Sequence, residues 1–446
     1  MSGVSKRNFL KIFSLGAGAS VLSPKWVLAS EDSVVETPYR VGQWLPSDET
    51  YLNRWLSAQI ARAESNPAPL HPEVEALKDL IEGDPTLYML FTQMFRQVPP
   101  RFKSTPLGDP RVRNYPTALA LINQVLTTAP EYSRRGLVGF PINAILNWAM
   151  GTEAGFAAFV NEKVNAQLKR ILDAWGAFLA SPDSVYVLND DPRHGWLGKR
   201  AMQDMPNFAD TFVCNPALPH YGFKSWDDFF IRQFRPGVRP VAFPEDDAII
   251  VNSCESAPFE VERNVQKMNR FWIKAQPYSL THMLAGDDSV DQFVGGTVYQ
   301  AFLSALSYHR WHSPVNGTIV KTFQIPGTYY SEPPSQGFDP SAPNNSQGYL
   351  AEVATRSVIL IQADNPDIGL MAVMYIGMAE VSTCEITVSE GQRVTKGEQL
   401  GMFHFGGSTY CMIFRPETQL KFDLRGQKPG VHARNIPLNS LLARVV

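Results

Sequence analysis

The stretch GMFHFGGSTYCMIF, residues 401–414, is an apolar and aromatic run that contains two adjacent glycines and two small hydroxyl residues. Apolar runs of this kind are typical of buried strands. Glycine weakens the interior of a strand because it has no side chain to pack, and it often marks a bulge or a close approach of another backbone. Taken alone, Gly406-Gly407-Ser408-Thr409 therefore indicates a bulge or tight bend in a strand of the core.

The sequence around this stretch has the pattern of a β-rich domain. Short apolar or alternating runs, such as AIIVNS, SVILIQAD and LMAVMYIG, follow one another from residue 241 onward. Gly, Asn and Pro separate these runs, which is the pattern of strands joined by turns. We expect residues 241–446 to form a β-rich domain with a sandwich or barrel-like architecture.

The chain before residue 240 has helical periodicity instead. In GFAAFVNEKVNAQLKRILDAWGAFLAS, residues 155–181, apolar side chains recur at three- and four-residue spacing, which predicts one amphipathic helix. The segment HPEVEALKDLIEG, residues 71–83, predicts a second helix that ends at a glycine. Residues 31–240 are therefore expected to form a helical N-terminal domain, which gives the whole chain an α+β fold.

The first 30 residues have the pattern of a targeting segment. A basic stretch, SKRNFLK, precedes the short apolar run IFSLGAGASVL, and small residues follow in VLAS. This order is typical of a signal peptide, and it resembles a twin-arginine signal in which Lys6 stands before Arg7. We expect residues 1–30 to be a signal peptide and the protein to be periplasmic or otherwise exported. A cytoplasmic protein with an unprocessed leader is the alternative.

The composition argues against several classes of function. The formal net charge is −3, so bulk electrostatics give no reason to expect a nucleic-acid partner. The four cysteines lie far apart without a C-x-x-C pair, which argues against a zinc site and a dense disulfide framework. The sequence contains no Walker loop, H-E-x-x-H motif or G-x-S-x-G motif. We therefore expect no metal, and the usual signatures of kinases, zinc proteases and α/β-hydrolases are missing.

Three short segments carry the residue types of nucleophilic catalysis. SYHRWHSPVNG contains His309 and His312, NSCESAPFE contains Glu255, and the opening stretch contains Ser408. A serine, a histidine and a carboxylate can together activate a nucleophile. Because Gly407 has no side chain, the backbone there can bend, and the Ser408 hydroxyl can attack the carbonyl before it.

Together, YHRWHSPVNGT, FGGST and YGFKSWDDFFIRQFRPGVRPV resemble the phosphatidylserine decarboxylase family. That family has a Y-H-R-x-H-x-P segment, a G-S-[ST] cleavage site and an upstream aromatic signature that ends in R-P. The resemblance implies a pyruvoyl-dependent decarboxylase that is made as a self-cleaving proenzyme. Its only cofactor would be the covalent pyruvoyl group formed from Ser408, and the amine of the substrate would be held on that group as a Schiff base.

The resemblance also implies roles for individual residues. The chain would be cut between Gly407 and Ser408, and residues 408–446 would stay associated with the larger piece. Glu255 stands where the family usually has an aspartate of the self-cleavage relay. The family pattern favours His312 as the base of that relay and His309 as the proton donor in decarboxylation. Residues three apart on a strand face opposite sides, so the assignment of the two histidines stays open.

The choice of substrate rests on a finer resemblance within the family. The segments EVSTCEITVSEGQ and GMFHFGGST are similar to those of fungal members that decarboxylate L-tryptophan, and part of the helical region is similar as well. This favours a free aromatic L-amino acid as the small-molecule substrate. The alternative is decarboxylation of phosphatidylserine to phosphatidylethanolamine, which would need contact with a membrane. A lesser alternative is a non-catalytic binding module of the same fold, which would not cut itself.

Overall fold

The computed structural model describes residues 50–98, 111–133, 140–269, 278–304, 306–333, 346–380 and 383–446. The predicted signal peptide lies outside these ranges. The described residues all belong to one unit, Pro38–Val446. No described helix is both long enough and apolar enough to cross a bilayer. All four cysteines are free thiols.

Proline residues and capping side chains set the starts of the helices. Pro72 and Pro85 occupy the first helical position, where a missing N–H costs nothing, and Asp84 accepts from the next N–H groups. The predicted helix at residues 71–83 is present, and the side chain of His71 caps it. The helices are α1 (Thr50–Ser65), α2 (Pro72–Gly83), α3 (Pro85–Arg96), α4 (Tyr115–Val125), α5 (Pro141–Met150), α6 (Glu153–Phe159), α7 (Glu162–Leu179), α8 (Lys199–Asp204), α9 (Phe208–Thr211) and α10 (Trp226–Phe230).

The long helix expected over residues 155–181 is two helices, α6 and α7. The apolar spacing continues across the break, but Asn161 has an extended backbone and its side chain accepts from the N–H groups of Lys163 and Val164. A cap of this kind starts a new helix because it satisfies N–H groups that lack intrahelical partners. The local hydrogen bonds of Asn161 therefore override a periodicity that is otherwise continuous.

The second part of the chain is built mainly of antiparallel strands. Its three short helices are α11 (Leu280–Met283), α12 (Val290–Phe293) and α13 (Gln347–Val353). Its strands are β1 (Ile249–Val251), β2 (Ala257–Arg263), β3 (Thr297–Leu303), β4 (Arg310–His312), β5 (Gly317–Ile325), β6 (Arg356–Ala363), β7 (Leu370–Met378), β8 (Cys384–Ile386), β9 (Arg393–Val394), β10 (Gln399–Phe403), β11 (Gly407–Phe414), β12 (Leu420–Phe422) and β13 (Leu441–Val445).

The strands form one large sheet and two small ones. The large sheet has the order β2-β3-β11-β7-β6-β5-β9, and the small sheets have the orders β1-β13-β12 and β4-β10-β8. None of these sheets, as far as the chain is described, closes into a barrel. The α+β class is confirmed, with layered sheets in the β-rich part.

The two faces of the large sheet pack against different layers. Cys411 and Ile413 of β11 join the hydrophobic cluster that contains the helices, whereas Tyr410 and Met412 join the cluster that contains the small sheets. This alternation follows from the period of two along a strand. The helical part and one face of the large sheet therefore share a continuous core.

The glycine pair stands at the start of β11 rather than within it. Gly407 pairs with Met378 of β7, and the ladders to β3 and β7 run on to Phe414 without a register shift. Gly406, just before the strand, has φ 142°, a region that favours glycine. The expected interruption is thus the point where the chain turns into a central, doubly paired strand.

Candidate active site

Ser408 is a buried residue whose hydroxyl is uncommitted. Its backbone pairs with Leu303 of β3 and with Gly377 of β7. Its Oγ atom is buried and makes no hydrogen bond to any described residue. An unsatisfied buried hydroxyl costs about 1–3 kcal/mol, and such a group in a native structure calls for an explanation. Consumption of the Ser408 hydroxyl in a reaction would explain why it lacks a partner.

His309 is fully buried just before β4, and its ring is also uncommitted. The ring stacks on Phe230 of α10 with centroids 3.8 Å apart, and neither ring nitrogen makes a hydrogen bond of acceptable geometry within the described chain. Burial lowers the pKa of His309 well below its ordinary value, and the charge of Arg232 adds to this effect. The backbone of Ser304, next to Leu303, lies near the ring and opposes part of the shift. His309 is therefore a neutral imidazole near the end of β3.

A buried arginine holds the segment that leads to His309. Arg232 donates to the carbonyl of Leu306 at 2.7 Å and to that of Ser307 at 3.2 Å. Burial lowers the pKa of Arg232 to about 9. Its guanidinium also lies over the ring of Phe212 at 4.5 Å. The arginine of the aromatic signature thus ties the helical part to the histidine segment.

His312, three residues later, has both ring nitrogens occupied. Nδ1 lies 2.7 Å from the carbonyl oxygen of Gly397, and Nε2 lies 2.9 Å from the hydroxyl of Tyr308. This pattern assigns the proton to Nδ1, which donates to the carbonyl, while Nε2 accepts from the tyrosine. Burial lowers the pKa of His312 to about 4. Gly397 has φ 85°, so the carbonyl that holds the ring depends on a glycine.

Glu255 forms an ion pair that does not include either histidine. Its Oε1 accepts from the guanidinium of Arg239, with Nε at 2.6 Å, and its Oε2 accepts from the N–H of Leu438 at 2.8 Å. Burial raises the pKa of Glu255, and the charge and hydrogen bonds of Arg239 oppose this effect. Both carboxylate oxygens are therefore engaged away from the imidazoles.

The predicted segments nevertheless meet in space. The N–H of His312 donates to the carbonyl of Ser253, and the Ser253 hydroxyl donates to the carbonyl of His312 at 2.6 Å. Arg239 lies over the ring of Phe234, which stacks on Tyr308 with centroids 4.2 Å apart. The structure thus joins the Glu255 segment to His312 through the backbone and through aromatic contacts. No described hydrogen bond connects Glu255, His312 and Ser408, and their relay stays a prediction.

A cavity of about 300 Å³ lies between α7 and the segments that flank β7 and β11. Phe405, three residues before Ser408, is part of its wall and contacts Trp175 edge to face at 5.2 Å. Phe405 also contacts Phe230, on which His309 stacks, at 5.4 Å. The cavity therefore adjoins the residues around the predicted cleavage site. Its wall includes Leu172, Trp175, Leu179 and Phe405, together with the polar residues Asp173, Asp227, Glu380, Thr383 and His404.

The surroundings raise the pKa values of two polar residues in the cavity wall, Glu380 and His404. Burial raises the pKa of Glu380 to about 8, although the N–H of Asn143 donates to its Oε1 at 2.8 Å. His404 bridges Asp227 at 2.9 Å and Glu385 at 2.8 Å. Burial alone would lower the pKa of His404, but the hydrogen bonds and charges of these carboxylates outweigh it and raise that pKa.

Two family models, both described as phosphatidylserine decarboxylase, match residues 71–205 and 226–433. An L-tryptophan decarboxylase from Psilocybe cubensis is 37% identical over 429 residues, covering 90% of this chain and 95% of that protein. The chain belongs to the phosphatidylserine decarboxylase family. As a member it is a carboxy-lyase, an enzyme rather than a binding module.

Two further relatives differ from the first in name and in how much of the chain they match. The decarboxylase iboD of Amanita muscaria is 42% identical over 325 residues, which cover 69% of this chain and 91% of the relative. The phosphatidylserine decarboxylase proenzyme 3 of Schizosaccharomyces pombe is 33% identical over 209 residues, which cover 47% of this chain and 21% of that protein. The similarity thus extends to relatives named for different substrates.

The polar residues of the cavity are not among the site residues predicted from the sequence. Glu380 opens the segment EVSTCEITVSEGQ, His404 lies inside the opening stretch, and Asp227 lies in the aromatic signature. Each therefore lies in a segment on which the family resemblance rests. The signal that could have found them is an ionisable residue inside an otherwise apolar matching segment.

Proposed function

We propose that this decarboxylase is a proenzyme that cuts itself between Gly407 and Ser408 and then decarboxylates a free aromatic L-amino acid. The first half of this proposal, self-cleavage, rests on the environment of the Ser408 hydroxyl. It is buried, lacks a hydrogen-bond partner among the described residues, and stands directly after two glycines at the start of a central strand. The relatives named as proenzymes support the same half.

The proposed cut uses only atoms of the chain and one water molecule. Ser408 Oγ attacks the carbonyl carbon of Gly407, the amide nitrogen leaves with a proton, and an ester links the two residues. Loss of the Cα proton of residue 408 then breaks its Cβ–Oγ bond, which releases the Gly407 carboxylate and leaves dehydroalanine. Hydrolysis of the tautomer with loss of ammonia gives a pyruvoyl group.

The residues around position 408 fit such a group. Its carbonyl would supply an electrophile that holds the amine of the substrate and accepts electrons as CO2 leaves. We propose that His309 moves a proton at the α-carbon, because it is a buried imidazole whose two nitrogens make no hydrogen bond of acceptable geometry to the described residues. Under this proposal His312 and Glu255 act in the self-cleavage relay, and His312 also positions Tyr308.

The two chains would remain together after the cut. Every residue of β11 from Ser408 to Phe414 pairs with β3 on one side and with β7 on the other. Strands β12 and β13, which also follow the cut, pair with each other, and β13 pairs with β1. The smaller chain of residues 408–446 is therefore integrated into two sheets of the larger chain.

Two observations support a free aromatic amino acid as the substrate. A relative that matches 90% of the chain is named as an L-tryptophan decarboxylase. The cavity that Phe405 lines, three residues before Ser408, is small and has aromatic walls. The side chain of an aromatic amino acid would pack on Trp175 and Phe405.

Phosphatidylserine is the second candidate, because both family models and several relatives are named for it. The deciding experiment measures CO2 release from tryptophan, tyrosine and phenylalanine, and from phosphatidylserine in detergent micelles, with one enzyme preparation. We expect turnover of an aromatic amino acid and little or none of the lipid. Turnover of the lipid alone would overturn the substrate half of the proposal and leave the self-cleavage half intact.

Export remains a separate proposal that rests on the sequence of residues 1–30. It predicts that the larger chain of the mature protein begins near residue 31. Mass analysis of that chain, isolated from each cell fraction, tests the proposal. A larger chain that retains the leader and occurs only in the cytoplasm would overturn it.

A further inference from the structure

The carboxyl groups around the cavity differ in how fully they are engaged. Asp173 of α7 forms an ion pair with Lys169 at 2.5 Å, and Asp227 of α10 accepts from His404. Glu380 is 2% exposed, and only its Oε1 accepts a hydrogen bond of good geometry, from Asn143. Its Oε2 has no partner among the described residues. Glu380 is thus the carboxyl group of the lining with a free, buried oxygen.

Glu380 also follows the strand that pairs with the predicted cleavage site. Met378 is the last residue of β7 and pairs with Gly407, the residue before the proposed cut. Ala379 then adopts φ 53°, which turns the chain, and Glu380 follows as part of the cavity wall. A ligand held by Glu380 would contact Trp175 and Phe405, which provide aromatic surface, and Phe405 is three residues before Ser408.

A cation is the ligand group that suits this carboxyl best. Charge-assisted hydrogen bonds are about twice as strong as neutral ones. Glu380 can ionise in its buried position only beside a positive charge, which an ammonium ion supplies and a neutral donor does not. The charges of the described neighbours do not supply one, because Lys169 is engaged by Asp173, and His404 is shared between Asp227 and Glu385. When His404 is protonated, Asp227, Glu385 and His404 together still carry one net negative charge.

We propose that the cavity binds the ammonium group of an aromatic amino acid or aromatic amine, with Glu380 as its counter-ion. The proposal rests on the proposed function, since it names how that site recognises the amine of its substrate. The nitrogen can act as a nucleophile only after it loses a proton. Glu380 Oε2 takes that proton, so that one N–H bond breaks and one O–H bond forms.

Binding of an ammonium ion changes the number of bound protons by an amount that can be measured. Free Glu380 is mostly protonated at pH 7, because burial raises its pKa to about 8. A bound ammonium ion replaces that proton by its own charge, or else gives a proton to the carboxylate. In both cases the complex holds one proton fewer than the separated partners, so binding releases close to one proton.

The test uses the full chain with Ser408→Ala, which keeps the precursor uncut and cannot form the pyruvoyl group. Calorimetric titrations with tryptamine at pH 7, in buffers of different ionisation enthalpy, give the dissociation constant and the number of protons released. We expect binding with release of close to one proton. We expect no measurable binding of indole-3-propionate, which has the same ring and no ammonium group.

Two added substitutions separate Glu380 from general charge effects. Glu380→Gln keeps an acceptor for the N–H of Asn143 and should weaken tryptamine binding by on the order of tenfold or more and abolish proton release. Asp291→Asn is the control, because it removes a carboxylate that is paired with Lys267 and does not line the cavity. Asp291→Asn should change the affinity by less than about threefold and retain the release.

Several results would overturn the inference. These are equal binding of indole-3-propionate, binding of tryptamine without proton release, or unchanged tryptamine binding in Glu380→Gln. The proton count in the Ser408→Ala chain needs no change at Glu380, so it stands even if Glu380→Gln does not fold. Turnover of phosphatidylserine alone would overturn the proposed function. Tryptamine binding that depends on Glu380 would still support this site.

Discussion

His309 stacks on the ring of Phe230 with centroids 3.8 Å apart and planes inclined by 18°, while both of its ring nitrogens lack a described hydrogen-bond partner. The stacking fixes the ring, and the free nitrogens leave it available for proton transfer. We expect His309→Asn to lower CO2 release by about 100-fold or more, the usual range for a lost acid–base group. The measurement is kcat with the preferred substrate.

The control for this prediction is Phe230→Leu, which keeps an apolar side chain but removes the stacking surface. We expect it to lower kcat less than His309→Asn does, because the imidazole remains present. His309→Asn should also remain cut if His309 acts only after maturation. Full CO2 release by His309→Asn would remove His309 from the mechanism.

The pKa of His312 predicts a pH-dependent stability. Its pKa is about 4 in the folded chain and 6.5 ordinarily, so the unfolded chain binds more protons between these values. The free energy of unfolding therefore falls as the pH falls from 6.5 to 4. The share of His312 is about 2 kcal/mol, less than the full shift implies because the ring is partly exposed.

His312→Asn should remove this share while keeping an N–H group for the Gly397 carbonyl. Urea unfolding at several pH values, in the uncut Ser408→Ala background, measures it. His309 titrates in the same direction in both proteins, so only the difference between the two curves counts. Parallel curves for the two proteins would contradict the assignment of a low pKa to His312.

The Arg239–Glu255 pair predicts a loss of stability when one partner is removed. Arg239→Met leaves the carboxylate of Glu255 buried without its counter-ion. We expect a loss of about 2 kcal/mol, less than for a fully buried pair because Arg239 is partly exposed. The double variant Arg239→Met/Glu255→Gln should recover much of this loss. Urea unfolding in the Ser408→Ala background measures both.

The same pair tests the predicted relay. Glu255→Gln keeps an acceptor for the N–H of Leu438 and should remain folded. A folded but uncut Glu255→Gln chain, made with Ser408 intact, supports a part for Glu255 in cleavage. A normal rate of cutting would limit Glu255 to holding Arg239.

Glu380 predicts the opposite pH dependence to His312. Its pKa is about 8 in the folded chain and 4.5 ordinarily, so the folded chain keeps a proton that the unfolded chain has lost. Stability therefore falls as the pH rises from 4.5 to about 8, by on the order of 4 kcal/mol from this group. Glu380→Gln should flatten this part of the curve. A decline in stability of equal size in Glu380→Gln would contradict it.

Much of the fold followed from local patterns in the sequence. The segment at residues 71–83 has a cap, a proline and a glycine that agree with its apolar spacing, and it is helical over Pro72–Gly83. Over residues 155–181 the spacing is continuous, and the break depends on hydrogen bonds of Asn161 that compete with it. Local chemistry of this kind is weaker than periodicity as a signal in one sequence.

The site was only partly predictable for a different reason. Ser408, His309, His312 and Glu255 lie in motifs that a single sequence can reveal. The meeting of Glu380 with Asp227 and His404 depends on the packing of β7, α10 and the segment before β11, which are far apart in the chain. The engagement of Glu255 by Arg239 depends on rotamers and burial in the same way. Such contacts are set by tertiary packing, which one sequence does not specify.

Self-cleavage requires that Ser408 becomes the first residue of a second chain. Intact-mass analysis of the purified protein, beside Ser408→Ala, measures this. We expect two chains from the native protein, the smaller comprising residues 408–446 with a mass that fits a pyruvoyl N-terminus, and one uncut chain from Ser408→Ala. A single uncut native chain that still releases CO2, or a cut at Gly407 that persists in Ser408→Ala, would rule out self-cleavage by Ser408.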